Sequence, residues 1–180
     1  MTTTDIKITA SRVAVLIGKG GATKRQIEER TGTKLAVNSD EGLVTIEGED
    51  ALAVMRTTEL VRAINRGFSP ERAYALLEEE DLLLDIMDLS GVCQTPKQME
   101  RLRGRIIGKN GKAREQMEDM TGALVSVHGK TVAIIGTLDQ VKIVSEAIDM
   151  LVEGLPHATV FSFLDRKRKE QKANMFEYYY

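Results

Sequence analysis

The sequence predicts an α+β chain in which one small unit is built twice, and three observations carry that expectation. A glycine-rich hexamer recurs: residues 16–21 read Leu-Ile-Gly-Lys-Gly-Gly and residues 106–111 read Ile-Ile-Gly-Lys-Asn-Gly. The likeness continues at the same 90-residue offset, with Ile27-Glu28-Glu29 answering Met117-Glu118-Asp119 and Thr31-Gly32 answering Thr121-Gly122. Each copy also runs through the order β-α-α-β-β-α, which predicts a three-stranded sheet with helices on one face. A repeat of roughly 75–90 residues is too long for a solenoid unit and has the length of a small domain.

In the first copy, Ile6-Lys7-Ile8 alternates like a short strand. Ser11 is placed to cap a helix through Val13–Ile17, which Gly18, Gly20 and Gly21 interrupt. A second helix is expected from Thr23 to about Arg30, with Gly32 as its stop. Lys34–Val37 and Leu43–Glu47 flank Asn38-Ser39-Asp40-Glu41-Gly42, a hairpin signature. A longer helix carries Ala51, Val54, Met55, Val61, Ile64 and Phe68 at helical spacing, and Ser69-Pro70-Glu71 restarts a helix that reaches about Glu79 and joins the two units.

The second copy repeats this plan. Leu82–Leu89 is its first strand, Pro96 opens a helix through Ile107, and Gly108–Gly111 interrupts before a helix over Ala113–Met120. Leu124–Val127 and Val132–Ile135 pair across His128-Gly129-Lys130, two residues of the first copy's turn being missing here. Asp139 to Val152 closes the unit. The expected divisions are a first domain over 1–68, an acidic helical connector over 69–81, a second domain over 82–164, and a basic, then Tyr-rich tail over 165–180.

A glycine turn between two helices has a chemical use. Glycine lets the backbone bend tightly and lets another backbone approach. The following helix opens with unpaired N–H groups and a positive dipole end, a cradle for phosphate. Lys19 and Lys109 sit inside the turns, and the apolar Leu16-Ile17 and Ile106-Ile107 before them suit the wall of a groove that takes unstacked bases. Other phosphate loops do not fit. The ATP-binding pattern needs Gly-Lys-Ser/Thr after glycine and four residues, and the dinucleotide pattern would need glycine where Thr23 stands.

Local charge agrees. Lys plus Arg is 25 against 27 for Asp plus Glu, so the chain as a whole is near neutral. Yet Ser11–Arg30 has five basic residues against two acidic, net +3, and Lys97–Arg114 has seven against one, net +6. Glu71–Asp88 is net −6. Phosphates respond to charge within a Debye length of about 8–10 Å, so the local balance decides.

Composition excludes several other functions. The lone Cys93 forbids an internal disulfide, and one Cys with His128 and His157 cannot complete a structural zinc site. Aromatics are 4% of the chain, which argues against a surface of stacking rings. No triad, paired-carboxylate site or metal cluster is visible, so neither enzymatic activity nor a cofactor is expected. The N-terminus lacks a basic cap and long apolar run, and no stretch is long enough to span a bilayer. A cytoplasmic protein without membrane contact is therefore expected.

The two motifs, Leu-Ile-Gly-Lys-Gly-Gly with Ile27 and Ile-Ile-Gly-Lys-Asn-Gly with Met117, each followed by helix, two strands and helix, resemble K-homology (KH) domains of the eukaryotic type, type I. In that family the Gly-x-x-Gly loop clamps the backbone of about four nucleotides of single-stranded nucleic acid. The resemblance implies RNA contacts at Ile17, Gly18, Lys19, Gly20, Gly21 and Lys24 in the first copy. In the second it implies Arg103, Arg105, Ile107, Gly108, Lys109, Asn110, Gly111, Lys112 and Arg114. One departure stands out: KH domains carry an aliphatic residue three positions after the loop, and Lys24 and Arg114 stand there.

The run Gly-Arg-Ile-Ile-Gly-Lys-Asn-Gly-Lys-Ala-Arg and the Lys/Arg-rich tail resemble archaeal two-KH relatives of the ribosome-assembly factor that eukaryotes call the partner of Nob. That resemblance implies binding to the 3′-end region of small-subunit (16S) pre-ribosomal RNA. It also implies work beside a Nob-type endonuclease and a translation initiation factor alpha subunit. The rival class is a protein–protein adaptor whose KH-like units recruit a nuclease or translation factor; lysines in both loops disfavour it. Arg101, Arg103 and Arg105 cannot all share one helix face, so only some reach RNA. His157, after Pro156, reads as a capping or surface residue.

Overall fold

Turn and cap chemistry set the element boundaries in the computed structural model, which describes residues 1–179. The chain divides into two units, Met1–Leu84 and Asp85–Tyr180. The first contains β1 (Thr2–Lys7), α1 (Ala10–Ile17), α2 (Ala22–Thr31), β2 (Lys34–Asn38), β3 (Leu43–Gly48), α3 (Ala51–Asn65), α4 (Pro70–Ala73) and α5 (Ala75–Glu78). Its sheet has the order β1-β3-β2 with both pairings antiparallel. Val44 and Ile46 of the central strand are fully buried, together with Leu16, Ile27, Leu60 and Ile64 from the helices. Asn38 Oδ1 accepts from the Asp40 and Glu41 amides and holds the hairpin turn.

Three details differ from the sequence expectation. The first strand starts at Thr2 and ends at Lys7, because pairing with β3 runs without a break from Thr2↔Gly48 to Lys7↔Leu43. Ser11 does not cap α1. Thr9 precedes the helix, and its amide and hydroxyl both donate to Asn65 Oδ1, so a contact 56 residues away holds the helix entry. The third helix stops at Asn65, short of Phe68. Gly67 turns the chain at φ 105°, and Phe68 folds back to 1% exposure with its amide on the Ala63 carbonyl.

The acidic segment 69–81 is helical in two short pieces. Ser69 Oγ caps α4 by accepting from the Arg72 amide, with Pro70 opening the helix. Ala73, Tyr74 and Leu76 are buried, and both α4 and α5 pack on α3. The segment is thus part of the first unit's core rather than a free-standing connector.

The second unit is built on β4 (Leu83–Asp88), α6 (Pro96–Ile107), α7 (Lys112–Thr121), β5 (Leu124–His128), β6 (Thr131–Gly136), α8 (Leu138–Val152) and α9 (His157–Tyr179). Its sheet order β4-β6-β5 repeats the first, and its central strand β6 is buried along its whole length. Thr137 and Gln140 form a reciprocal capping box at α8. The basic run Arg166–Lys169 lies inside α9, which begins at His157 and buries Val160, Phe163 and Leu164. The Tyr-rich end reaches Tyr179; Tyr180 lies outside the described residues. Among the described residues no helix is long and apolar enough to cross a membrane.

Candidate nucleic-acid interface

The two glycine loops have the same backbone. Each is a single 3₁₀ turn, Lys19–Gly21 or Lys109–Gly111, between two α-helices. Gly18 and Gly108 take φ 74°, ψ 176° and φ 77°, ψ 177°. A β-carbon on Gly18 would stand 2.8 Å from the Thr23 amide nitrogen, and one on Gly108 would stand 2.7 Å from that of Ala113. No other residue fits there. At the turn's tip Gly20 (φ 60°) and Asn110 (φ 56°) coincide, and asparagine tolerates that left-handed geometry.

The turns close with Gly21 N–H donating to the Gly18 carbonyl at 3.2 Å and Gly111 N–H to that of Gly108 at 3.3 Å. Lys19 and Lys109 are exposed and make no ion pair among the described residues. Ile17 and Ile107 are half-buried beside the turns, while Leu16 and Ile106 behind them are fully buried. Each loop therefore offers an exposed, unpaired ammonium and an apolar ledge beside a tight glycine turn. That combination suits a phosphodiester chain whose bases lie along the ledge.

The basic residues around the first loop are mostly engaged elsewhere. Arg12 donates from Nε to the Ile64 carbonyl at 2.7 Å and from Nη2 to that of Phe68 at 2.8 Å. Burial pulls its guanidinium below its ordinary range. Lys24 pairs with Glu28 at 3.2 Å, Arg25 covers the Gly20 carbonyl at 2.9 Å, and Arg30 lies over the Tyr74 ring at 4.3 Å. Of the five cations counted there, Lys19 alone has no such partner among the described residues.

The second loop keeps more free charge. Lys109 and Lys112 are exposed and unpaired among the described residues, as are Lys97 and Arg101 farther back along α6. Arg103, one helical turn before Ile107, lines a cavity with Met99, Gly129 and Lys130. The structure does not bring Arg105 to that side. Its Nη2 donates to the Leu155 carbonyl at 2.6 Å, in a cavity lined by Arg101, Leu151 and Gly154. Arg114 is bound through Nη1 to Glu118 at 2.7 Å.

Residue patterns alone did not give the partners of four residues. Lys130 enters through the hairpin beside Arg103, where only the tertiary fold places it. His157 Nε2 lies 2.7 Å from the Arg105 carbonyl and so ties α9 to the end of α6. Glu28 and Glu118 stand four residues after Lys24 and Arg114, an i,i+4 signal that was visible in the repeat. The basic run of α9 is largely answered within its own helix. Hydrogen bonds from Lys169 and Arg168 hold the Asp165 carboxyl below its ordinary range, and Lys167 pairs with Glu170 at 3.5 Å.

Comparison with known proteins agrees with this geometry. A model of the eukaryotic-type KH domain (KH-domain type I), of the second Pno1 domain, matches residues 83–169, and a general KH-domain model matches residues 3–63. A KH domain-containing protein of Methanocaldococcus jannaschii is 45% identical over 176 residues, 96% of this chain and 77% of that one. The pre-rRNA-processing protein PNO1 of Chaetomium thermophilum is 32% identical over 62% of this chain, which spans 44% of that relative's length. Dim2p from Pyrococcus horikoshii superposes with a TM-score of 0.85 at 48% identity, covering 92% of this chain and 99% of that one. In the a/eIF2alpha–aDim2p–rRNA complex of the same organism, the matching chain gives a TM-score of 0.88 at 47% identity, covering 94% of this chain and 95% of that one.

Proposed function

The chain belongs to the KH-domain family, as a tandem protein of the Pno1/Dim2-like kind, and on that premise we propose that it binds single-stranded RNA at the 3′-end region of small-subunit (16S) pre-ribosomal RNA during ribosome assembly. The observation that carries this is the duplicated loop: an exposed, unpaired lysine in a glycine turn of the same backbone angles in both units. The glycines let the sugar–phosphate chain approach, Lys19 and Lys109 neutralise phosphates, and Ile17 and Ile107 support bases. Asn110, Lys112, Arg103 and Arg114 add to the second site, and Lys24 to the first. Arg105 acts behind the site through its bond to Leu155.

The role is non-catalytic and cytoplasmic. The protein presents a strand to partners, a Nob-type endonuclease and a translation initiation factor alpha subunit. The second of these is supported by the 47% identity to the Dim2p chain of the complex with a/eIF2alpha and rRNA. Unpaired lysines in both loops favour RNA over a purely protein-binding adaptor.

The test is fluorescence anisotropy with a short single strand copied from the 3′ end of the small-subunit RNA. Lys109→Asp with Asn110→Asp is expected to weaken binding at least about tenfold, since it reverses charge at the phosphate contact. Both changes suit the turn, because Asp accepts the left-handed angle at position 110. Unchanged affinity would remove the second loop from the interface. Crosslinking in cell extract, followed by sequencing of the attached RNA, tests the 3′-end assignment: tags scattered over unrelated RNAs would refute it.

A further inference from the structure

Glu28 and Glu118 occupy the same place in the two copies and make the same two contacts. In the second unit one carboxylate oxygen of Glu118 accepts from Arg114 Nη1 at 2.7 Å, and the other accepts from the Val125 amide at 2.7 Å. In the first, Glu28 meets Lys24 Nζ at 3.2 Å and the Leu35 amide at 3.3 Å. Val125 lies on β5, an edge strand of its sheet, where an outward amide has no neighbouring strand to bond. The sheet therefore fixes the carboxylate, and the carboxylate fixes the guanidinium.

The free edge of that guanidinium faces the loop. Arg114 Nη2 lies 4.0 Å from where a β-carbon on Gly111 would stand, and it has no partner among the described residues. The pair is well sheltered, with Glu118 12% and Arg114 26% exposed. A guanidinium can donate along two edges at once, one to a carboxylate and one to a phosphate.

We propose that Glu118 is a positioning residue for RNA: it holds the Arg114 guanidinium over Gly111 so that Nη2 donates to a phosphate beside the one neutralised by Lys109. This rests on the reading of the second loop as an RNA grip. It accounts for the arginine where KH domains carry an aliphatic residue, since the acid that orients it is built into the sheet edge. Charge alone argues the other way, because removing a negative group near a polyanion raises affinity. Here the carboxylate is already answered by a cation and an amide, so its outward field is small and lost orientation outweighs it.

The opposite signs make the test decisive. In the full chain, with the same 3′-end single strand, Glu118→Gln is expected to weaken binding about fivefold, and Arg114→Gln at least as much. The double variant is expected to bind no worse than Arg114→Gln, because Glu118 acts through Arg114; a purely structural role for Glu118 would give additive losses. Unchanged or tighter binding by Glu118→Gln, with an unaltered melting temperature, overturns the proposal. If Glu118→Gln fails to fold, Arg114→Gln decides, since it leaves the Glu118–Val125 bond in place; full affinity there overturns the proposal. Lys109→Asp with Asn110→Asp separates the two levels. A loss there with no effect of Glu118→Gln sinks this inference alone, and no loss there sinks the loop reading and this inference together.

Discussion

His157 and Arg105 clasp each other: the ring Nε2 lies 2.7 Å from the Arg105 carbonyl, and the Arg105 side chain reaches back to the Leu155 carbonyl at 2.6 Å. A carbonyl only accepts, so Nε2 carries the proton. The Arg105 carbonyl belongs to the last turn of α6, where helical carbonyls lack partners of their own. His157→Ala should therefore lower the stability of the second unit by about 1–2 kcal/mol, the cost of leaving a half-buried carbonyl unmet. Urea unfolding checks this, and an unchanged midpoint would mean that the clasp contributes nothing.

Gly104, inside α6, and Gly108, just past its end, separate two reasons for having no side chain. A β-carbon on Gly108 would run into Ala113, whereas one on Gly104 would meet nothing within 4 Å. Gly108→Ala should cost about 2–4 kcal/mol through collision and a strained positive φ. Gly104→Ala should stabilise by roughly 0.5–1 kcal/mol through helix propensity. Thermal melts of the two variants should move in opposite directions; melts that moved together would contradict the loop geometry.

What was legible in the sequence follows from distance along the chain. The glycine turns, the two hairpins and the helix stops at Gly32 and Gly122 depend on neighbours, and the repeat showed each of them twice. The fate of the cations depends on partners far away. Arg12 looked like loop charge and is spent on carbonyls 52 and 56 residues off; Arg105 is spent 50 residues off. Composition of the 69–81 segment showed acid and helix. That Tyr74 hydrogen-bonds Gln26 at 3.2 Å, and so seats the segment on α2, requires the fold.

The two loops should differ in strength. At the second loop Lys109 and Lys112 remain unpaired among the described residues, against Lys19 alone at the first. Lys19→Asp with Gly20→Asp should weaken RNA binding less than the matching change at Lys109 and Asn110. Affinity should also fall with salt at a log–log slope of about −0.7 per phosphate neutralised, and the second-loop variant should lose more of that slope. Titrations at several salt concentrations measure both, and equal slopes for the two variants would contradict the asymmetry.

Tyr74 predicts an alkaline weakness confined to the first unit. Burial raises its phenol above the ordinary value, with Arg30 opposing and Glu71 adding to the rise. Its hydroxyl donates to Gln26 Oε1 at 3.2 Å, which only the neutral form can do. A group whose folded-state pKa is raised contributes stability that is complete below the unfolded value, about 10 for tyrosine, and is lost as pH climbs through the folded value. Lysines titrate in the same range, so the difference between the protein and Tyr74→Phe isolates the effect. The protein should be the more stable of the two near neutrality, by about 1 kcal/mol for the hydrogen bond. That advantage should shrink as pH rises beyond about 10, because the phenylalanine variant has no phenol to ionise. Guanidinium unfolding of both proteins across this range measures the gap, and a gap independent of pH would show that the Tyr74 hydroxyl titrates alike in the folded and unfolded chains.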